Sequence, residues 1–120
     1  MPAPVLVVHD EQETRELAVT TLRAAYLGVV GFEDPMAALD AIETDSRVRV
    51  LVTRVVFGPG KPNGVALARM VRLKRPGTKV VFVARAENEP HTEGLGVLLP
   101  RPLNPDILVA TVGRLLASQD

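Results

Sequence analysis

The sequence predicts an α/β protein built on a five-stranded parallel sheet, and three observations predict it. Short runs of β-branched and aliphatic residues alternate with stretches whose apolar residues recur at three-to-four spacing. Helix-start signals, an Asp or Asn and in two cases a following Pro, come after four of the runs. The run Val48-Arg49-Val50-Leu51-Val52-Thr53-Arg54-Val55-Val56-Phe57 is apolar enough to be buried on both faces, as a central parallel strand is. It leads into Gly58-Pro59-Gly60-Lys61-Pro62-Asn63-Gly64, so its C-terminal end opens onto the sheet edge where such proteins place their ligands. Arg54 stands at that end.

In chain order, Pro4 to His9 reads as the first buried strand. Asp10-Glu11-Gln12-Glu13 reads as a capping box, with Asp10 as N-cap and Glu13 at the third helical position. The helix presents Leu17, Ala18, Thr21, Leu22 and Ala25 as its apolar face, and Gly28 ends it. Val29, Val30 and Phe32 form the second strand. Asp34-Pro35 opens a helix with Ala38, Leu39 and Ile42 inward, closed by Thr44-Asp45-Ser46. After the third strand, Asn63 caps a helix bearing Leu67, Ala68 and Val71 that stops before Pro76-Gly77. Lys79 to Ala84 is the fourth strand. Between Arg85 and Gly96, Pro90, Gly94 and Gly96 leave room for one or two helical turns only. Val97-Leu98-Leu99 makes the fifth strand, and Asn104-Pro105 starts a last helix with Ile107, Leu108, Thr111, Val112, Leu115 and Leu116 facing in.

Strand-helix alternation repeated five times means a parallel sheet covered by helices on both faces, with right-handed crossovers. Five strands favour the flavodoxin-like order 2-1-3-4-5, which sets strands one and three side by side. His9, Asp10, Glu11 and Arg54 then meet at the crevice between them.

All 120 residues fit a single domain, able to bury about two-thirds of its unfolded surface. A hydrophobic content of 47% with 23% charged residues is that of an ordinary globular protein. Zero net charge favours neither nucleic acid nor a membrane surface. No apolar run reaches the length of a membrane span, no signal peptide precedes the first strand, and a cytoplasmic protein is expected. Without cysteine there is no disulfide, thiolate metal site or thiol nucleophile.

The segment Val5 to Glu11, the strand ending at Arg54 with its Gly/Pro loop and Asn63-Gly64, and Leu98-Leu99-Pro100-Arg101-Pro102 resemble a response-regulator receiver domain. The resemblance runs from Val5 to Leu116. It implies a bacterial two-component, or phosphorelay, pathway. In that family an acidic pair after strand one and an aspartate after strand three hold Mg²⁺, and the second aspartate takes a phosphoryl group from a histidine kinase. A Thr or Ser after strand four and a Lys-Pro after strand five complete the site, and an aromatic on strand five rotates inward on phosphorylation. Here the corresponding residues are His9 and Asp10, then Arg54, Ala84 and Arg101, with Leu98 at the switch position. The loop after Arg54 is longer than the family's and the fourth-helix region shorter.

An arginine is protonated and carries no acceptor atom, so Arg54 cannot be phosphorylated as an aspartate is. Mg²⁺ asks for several oxygen ligands, and Asp10 is the sole weak candidate beside a fixed cation. Asp10 has a plain role as helix cap, Arg54 as a strand-end charge in solvent or paired to Asp10, and His9 as a partly buried polar residue. Arg101-Pro102 is of the bond class that admits a cis peptide. Gly58-Pro59-Gly60-Lys61 has the wrong glycine spacing for a phosphate loop, and Pro62 stands where Ser or Thr would bind metal. Arg69, Arg72, Lys74, Arg75 and Lys79 complement a helix C-terminus rather than form a nucleic-acid face.

The expected function is a non-catalytic, receiver-like signalling module acting by protein-protein interaction, its partners a histidine kinase or an output domain, with a homodimer through strand five and the last helix as a further contact. No enzyme activity, cofactor, nucleic acid or membrane is expected. The alternatives are a phosphorylatable regulator with an unconventional site and a flavodoxin-like nucleotide or flavin binder. The acidic, glycine-free turn from His9 to Gln12 would repel the phosphate that the last requires.

Overall fold

Five parallel strands form one sheet in the order β2-β1-β3-β4-β5 in the computed structural model, which describes residues 4–25, 28–45, 47–57 and 63–117. The strands are β1 (Val5–Val8), β2 (Val29–Phe32), β3 (Val50–Thr53), β4 (Lys79–Ala84) and β5 (Val97–Pro100). Between and after them lie α1 (Gln12–Ala25), α2 (Pro35–Thr44), α3 (Gly64–Lys74), α4 (Glu89–Thr92) and α5 (Pro105–Ala117). This is the flavodoxin-like arrangement, with strand order reversing at β1 and β3.

Alternation along each strand divides the core into two layers. Leu6, Val8, Leu51, Val80 and Phe82 pack with Ala38, Ile42, Leu67 and Val71 of α2 and α3. Val5, Val7, Val50, Val52, Val81 and Val83 pack on the other face with Ala18 and Leu22 of α1 and Leu108 and Val112 of α5. Most of these side chains are fully buried, each contributing roughly 1.5–3 kcal/mol by its removal from water.

Local chemistry sets the helix starts. Asp34 accepts from the Met36 amide at 3.4 Å with Pro35 behind it, and Asn63 accepts from the Ala66 amide at 2.8 Å. Asn104 Oδ1 accepts from the amides of Asp106 and Ile107 at 3.0 and 3.2 Å. Gly28, at φ 77°, takes the left-handed conformation that a side chain resists. At the far end of α3 the cations tie elements together: Arg72 donates to the Gly94 carbonyl at 2.6 Å and Arg75 to that of Glu43 at 2.9 Å.

Several expectations are corrected. Helix α1 begins at Gln12, and the Glu11 carbonyl accepts its first backbone bond, so Glu11 and not Asp10 sits at the N-cap. Its buried residues are Ala18, Val19 and Leu22, while Leu17 is 42% exposed and Ala25 faces solvent. On α5, Ile107 is half exposed; Leu108, Thr111 and Val112 are buried, and Leu115 and Leu116 pack partly buried against the same layer as expected. The third strand is shorter than its apolar run: the ladder covers Val50–Thr53, and Val55 and Phe57 bury themselves beyond it. The loop Gly58-Pro59-Gly60-Lys61-Pro62 and Ser46 lie outside the described residues. The segment after β4 is as expected, with one 3-10 turn, Ala86–Asn88, and the single turn of α4.

Candidate functional site

Parallel pairing aligns Val8 of β1 with Thr53 of β3, so the chain leaves both strands at the same level and His9, Asp10 and Arg54 emerge side by side. On the other flank Ala84 of β4 pairs with Pro100 of β5, which brings Arg101 to the same edge. The β3–α3 connection returns tightly against this edge. Gly64 donates to the Val55 carbonyl at 2.7 Å and lies so close to the Arg54 carbonyl that no Cβ fits.

Two arginine–carboxylate pairs span the crevice. Arg54 Nη1 donates to Asp10 Oδ1 at 2.5 Å, with both side chains about one-fifth exposed. Arg101 Nη2 donates to Glu11 Oε1 at 2.8 Å, at the start of a cis Arg101–Pro102 peptide. Consecutive acids on the β1–α1 turn are thus matched by arginines from two different strands. Partial exposure holds each pair to about 1 kcal/mol or less. A double-mutant cycle of Asp10→Asn and Arg54→Gln, read by urea unfolding, is expected to give a coupling near 1 kcal/mol that shrinks with added salt. Additive single effects would mean that the pair does not hold in solution.

His9 is more deeply buried than a strand-end polar residue usually is, at 3% exposure. Its Nδ1 accepts from the Glu11 amide at 3.1 Å, which puts the ring proton on Nε2. That Nε2 is buried without a hydrogen-bond partner, the Glu11 carboxylate standing 3.8 Å away. Burial, and after it the Arg54 guanidinium, lowers the His9 pKa to about 4 against the opposing pull of Glu11 and Asp10. Arg15 Nη1 donates to the His9 carbonyl at 2.8 Å and fixes the turn from α1.

Ala84 contributes a buried methyl, and its carbonyl accepts from the Arg101 amide at 3.2 Å. Leu98 is partly buried against the layer that contains Phe82 and Leu67. The candidate site residues His9, Asp10, Glu11, Arg54, Ala84 and Arg101 therefore lie at one edge, with Leu98 two strand positions below Pro100. Sequence reasoning missed Arg85, Glu87 and Asn88, which with Arg54, Ala84 and Arg101 line a cavity of about 370 Å³. Arg85 directly follows β4, so the strand-end rule that singled out Arg54 applies equally to it.

No protein-family model and no curated protein sequence matches the chain. Solved structures do. The BeF3-activated DrrB receiver domain is 27% identical with a TM-score of 0.81, over 98% of this chain and 100% of that one. The receiver domain from the hybrid histidine kinase CckA is 26% identical with a TM-score of 0.79, over 93% and 97%. The receiver domain of NtrX from Brucella abortus superposes with a TM-score of 0.85 at 22% identity, over 96% and 99%, a likeness of fold. The fold of this chain is that of receiver domains.

Proposed function

We propose that this chain is a receiver-type module of a two-component pathway, non-catalytic, acting through protein contacts without accepting a phosphoryl group at β3. The observation that carries this is the Arg54–Asp10 contact of 2.5 Å at the end of the central strand. Phosphoryl transfer needs a nucleophilic oxygen in line with the donor phosphorus and cations around the equatorial oxygens. A guanidinium in the acceptor's position offers no such oxygen and already carries the positive charge.

Mg²⁺ does not fit the residues present. It needs near-octahedral oxygen ligands, and here Asp10 Oδ1 accepts from Arg54 while Glu11 Oε1 accepts from Arg101. Among the described residues no three His, Asp or Glu side chains cluster as a cation site would require. The groups that would relay a phosphate are aliphatic as well: Ala84 offers no hydroxyl, and Leu98 has neither polar tip nor large ring to trade between pockets.

The partners in this reading are a histidine kinase or an output domain, and a second copy of the chain through β5 and the exposed part of α5, where Ile107 is 50% exposed. Adding fluoroberyllate and Mg²⁺ while recording relaxation dispersion is expected to leave residues 84–101 unchanged. Two-state exchange there that collapses to one state on addition would show a working phosphorylation switch and sink the proposal.

A further inference from the structure

We propose that the end of the sheet opposite the Arg54 crevice is a docking surface for an acidic, extended segment of a partner protein, its carboxylates seated in a recess between Arg49, Lys74 and Arg75. This surface lies outside the crevice on which the signalling role above rests, and it stands whether or not β3 accepts a phosphoryl group. The recess measures about 340 Å³. Three cations and no carboxylate line it, together with Val48, Pro76 and Thr78.

The chain builds this recess where β3 and β4 begin and α3 ends. Thr78 donates its hydroxyl to the Val48 carbonyl and its amide to the Arg75 carbonyl, each at 3.0 Å, which closes the Pro76-Gly77 turn against β3. Arg49 Nη2 donates to the Leu116 carbonyl at 2.5 Å, and Arg75 Nη2 to the Glu43 carbonyl at 2.9 Å. Main-chain oxygens at the ends of neighbouring helices therefore hold both guanidiniums in place. Neither has a carboxylate partner among the described residues, and Arg75 Nε is buried without a hydrogen bond. Lys74 has a loose contact with Glu43, at 3.8 Å. The space over the turn is open, with nothing within 4 Å of where a Gly77 Cβ would stand.

Helix C-termini carry about half a negative charge each, and α2, α3 and α5 all end here. Arg49, Lys74 and Arg75, joined by Arg72 and Arg114 in the last turns of α3 and α5, outweigh those ends and the Glu43 carboxylate. Zero net charge thus conceals a positive end. An acidic peptide complements it better than a nucleic acid does. Glu43 beside Lys74, and Asp45 within the field of Arg75, would repel the phosphates flanking a seated one, and no aromatic lines the recess for a base to stack on. A peptide can set carboxylates on the cations and neutral residues on the flanks. The recess admits the side chains of an extended segment, whereas a helix is about 10 Å across. Guanidiniums fixed in advance lose little rotamer freedom on binding and match a carboxylate bidentately.

The test is an NMR titration of the full chain with capped hexaglutamate, with hexaglutamine and an oligothymidylate of equal length as comparison probes. Hexaglutamate is expected to give saturable shifts at the amides of Arg49, Lys74, Arg75, Gly77 and Thr78, weakened by salt. Hexaglutamine is expected to give none, and the oligothymidylate weaker ones. Lys74→Gln, which gives up only the loose contact with Glu43, is expected to lower affinity about threefold, the effect of an exposed ion pair. Glu43→Gln is expected to raise it, and Arg85→Gln at the opposite edge to leave it unchanged. Shifts that do not saturate or that centre elsewhere, an oligothymidylate that binds the recess as tightly as hexaglutamate, or equal effects of Lys74→Gln and Arg85→Gln would overturn the proposal.

Discussion

Gly64→Ala is expected to destabilise the protein by about 3 kcal/mol or more, at the top of the range for overpacking. The added Cβ would overlap the Arg54 carbonyl oxygen and fall 2.9 Å from its carbon and 3.2 Å from Val55 Cα. All three are backbone atoms, held by β3 on one side and by the Gly64-to-Val55 hydrogen bond on the other, so no side chain can swing aside. Relief requires α3 to back away from the sheet edge, which loosens Leu67 and Ala68 in the core and moves Arg54 relative to Asp10. Urea unfolding followed by circular dichroism gives the loss directly. Gly77→Ala is the control: nothing lies within 4 Å of its Cβ, and a change within about 0.5 kcal/mol is expected. Equal effects at the two positions would show that the close approach at Gly64 is not present in solution.

Stability is expected to fall as pH drops from 6.5 to 4, by on the order of 3 kcal/mol from His9 alone. The folded state holds the His9 pKa at about 4, whereas in the unfolded chain it returns to the ordinary 6.5. Between those values the unfolded state binds the extra proton and the folded state does not, so acid favours unfolding. The slope fades above the unfolded-state pKa of 6.5, where the ring becomes neutral in both states. His9→Gln removes the titration, and the difference between parent and variant unfolding free energies across this window isolates it from the carboxylates. Parallel curves for the two proteins would mean that His9 titrates normally and is not buried as described.

Much of the fold was legible because its signals are local. Lys79–Ala84 reads as a strand from its own residues, Asp34 and Asn63 announce their helices by side-chain chemistry, and regular alternation yields the strand order. What failed depended on contacts between distant parts of the chain. Asp10 is the better cap in sequence, but its carboxylate meets Arg54, 44 residues away, and the helix starts beyond it. Val55 and Phe57 have strand composition, yet the ladder ends at Thr53 because the chain turns to seat Gly64 against Arg54 and Val55. Leu17 and Ile107 are apolar and in register with their stripes, but each lies at the margin of a helix face whose centre is set by packing against the sheet.

The site was legible in part for the same reason. Strand order alone brings His9, Asp10 and Arg54 together, and the chemistry of arginine alone argues against phosphorylation. The depth of His9 and the cavity beyond Ala84 were not legible. The first depends on how α1 and the arginines close over the turn, the second on how an irregular segment from Arg85 to Gly96 lies over β4 and β5. Irregular backbone carries no periodicity to read.

The proposed function puts Arg54 in the position of a phosphoacceptor. Incubation of the full chain with acetyl phosphate and Mg²⁺, followed by intact mass measurement at neutral pH so that labile phosphoryl bonds survive, tests it most directly. The unmodified mass is the predicted result. A stoichiometric gain of one phosphate would contradict it.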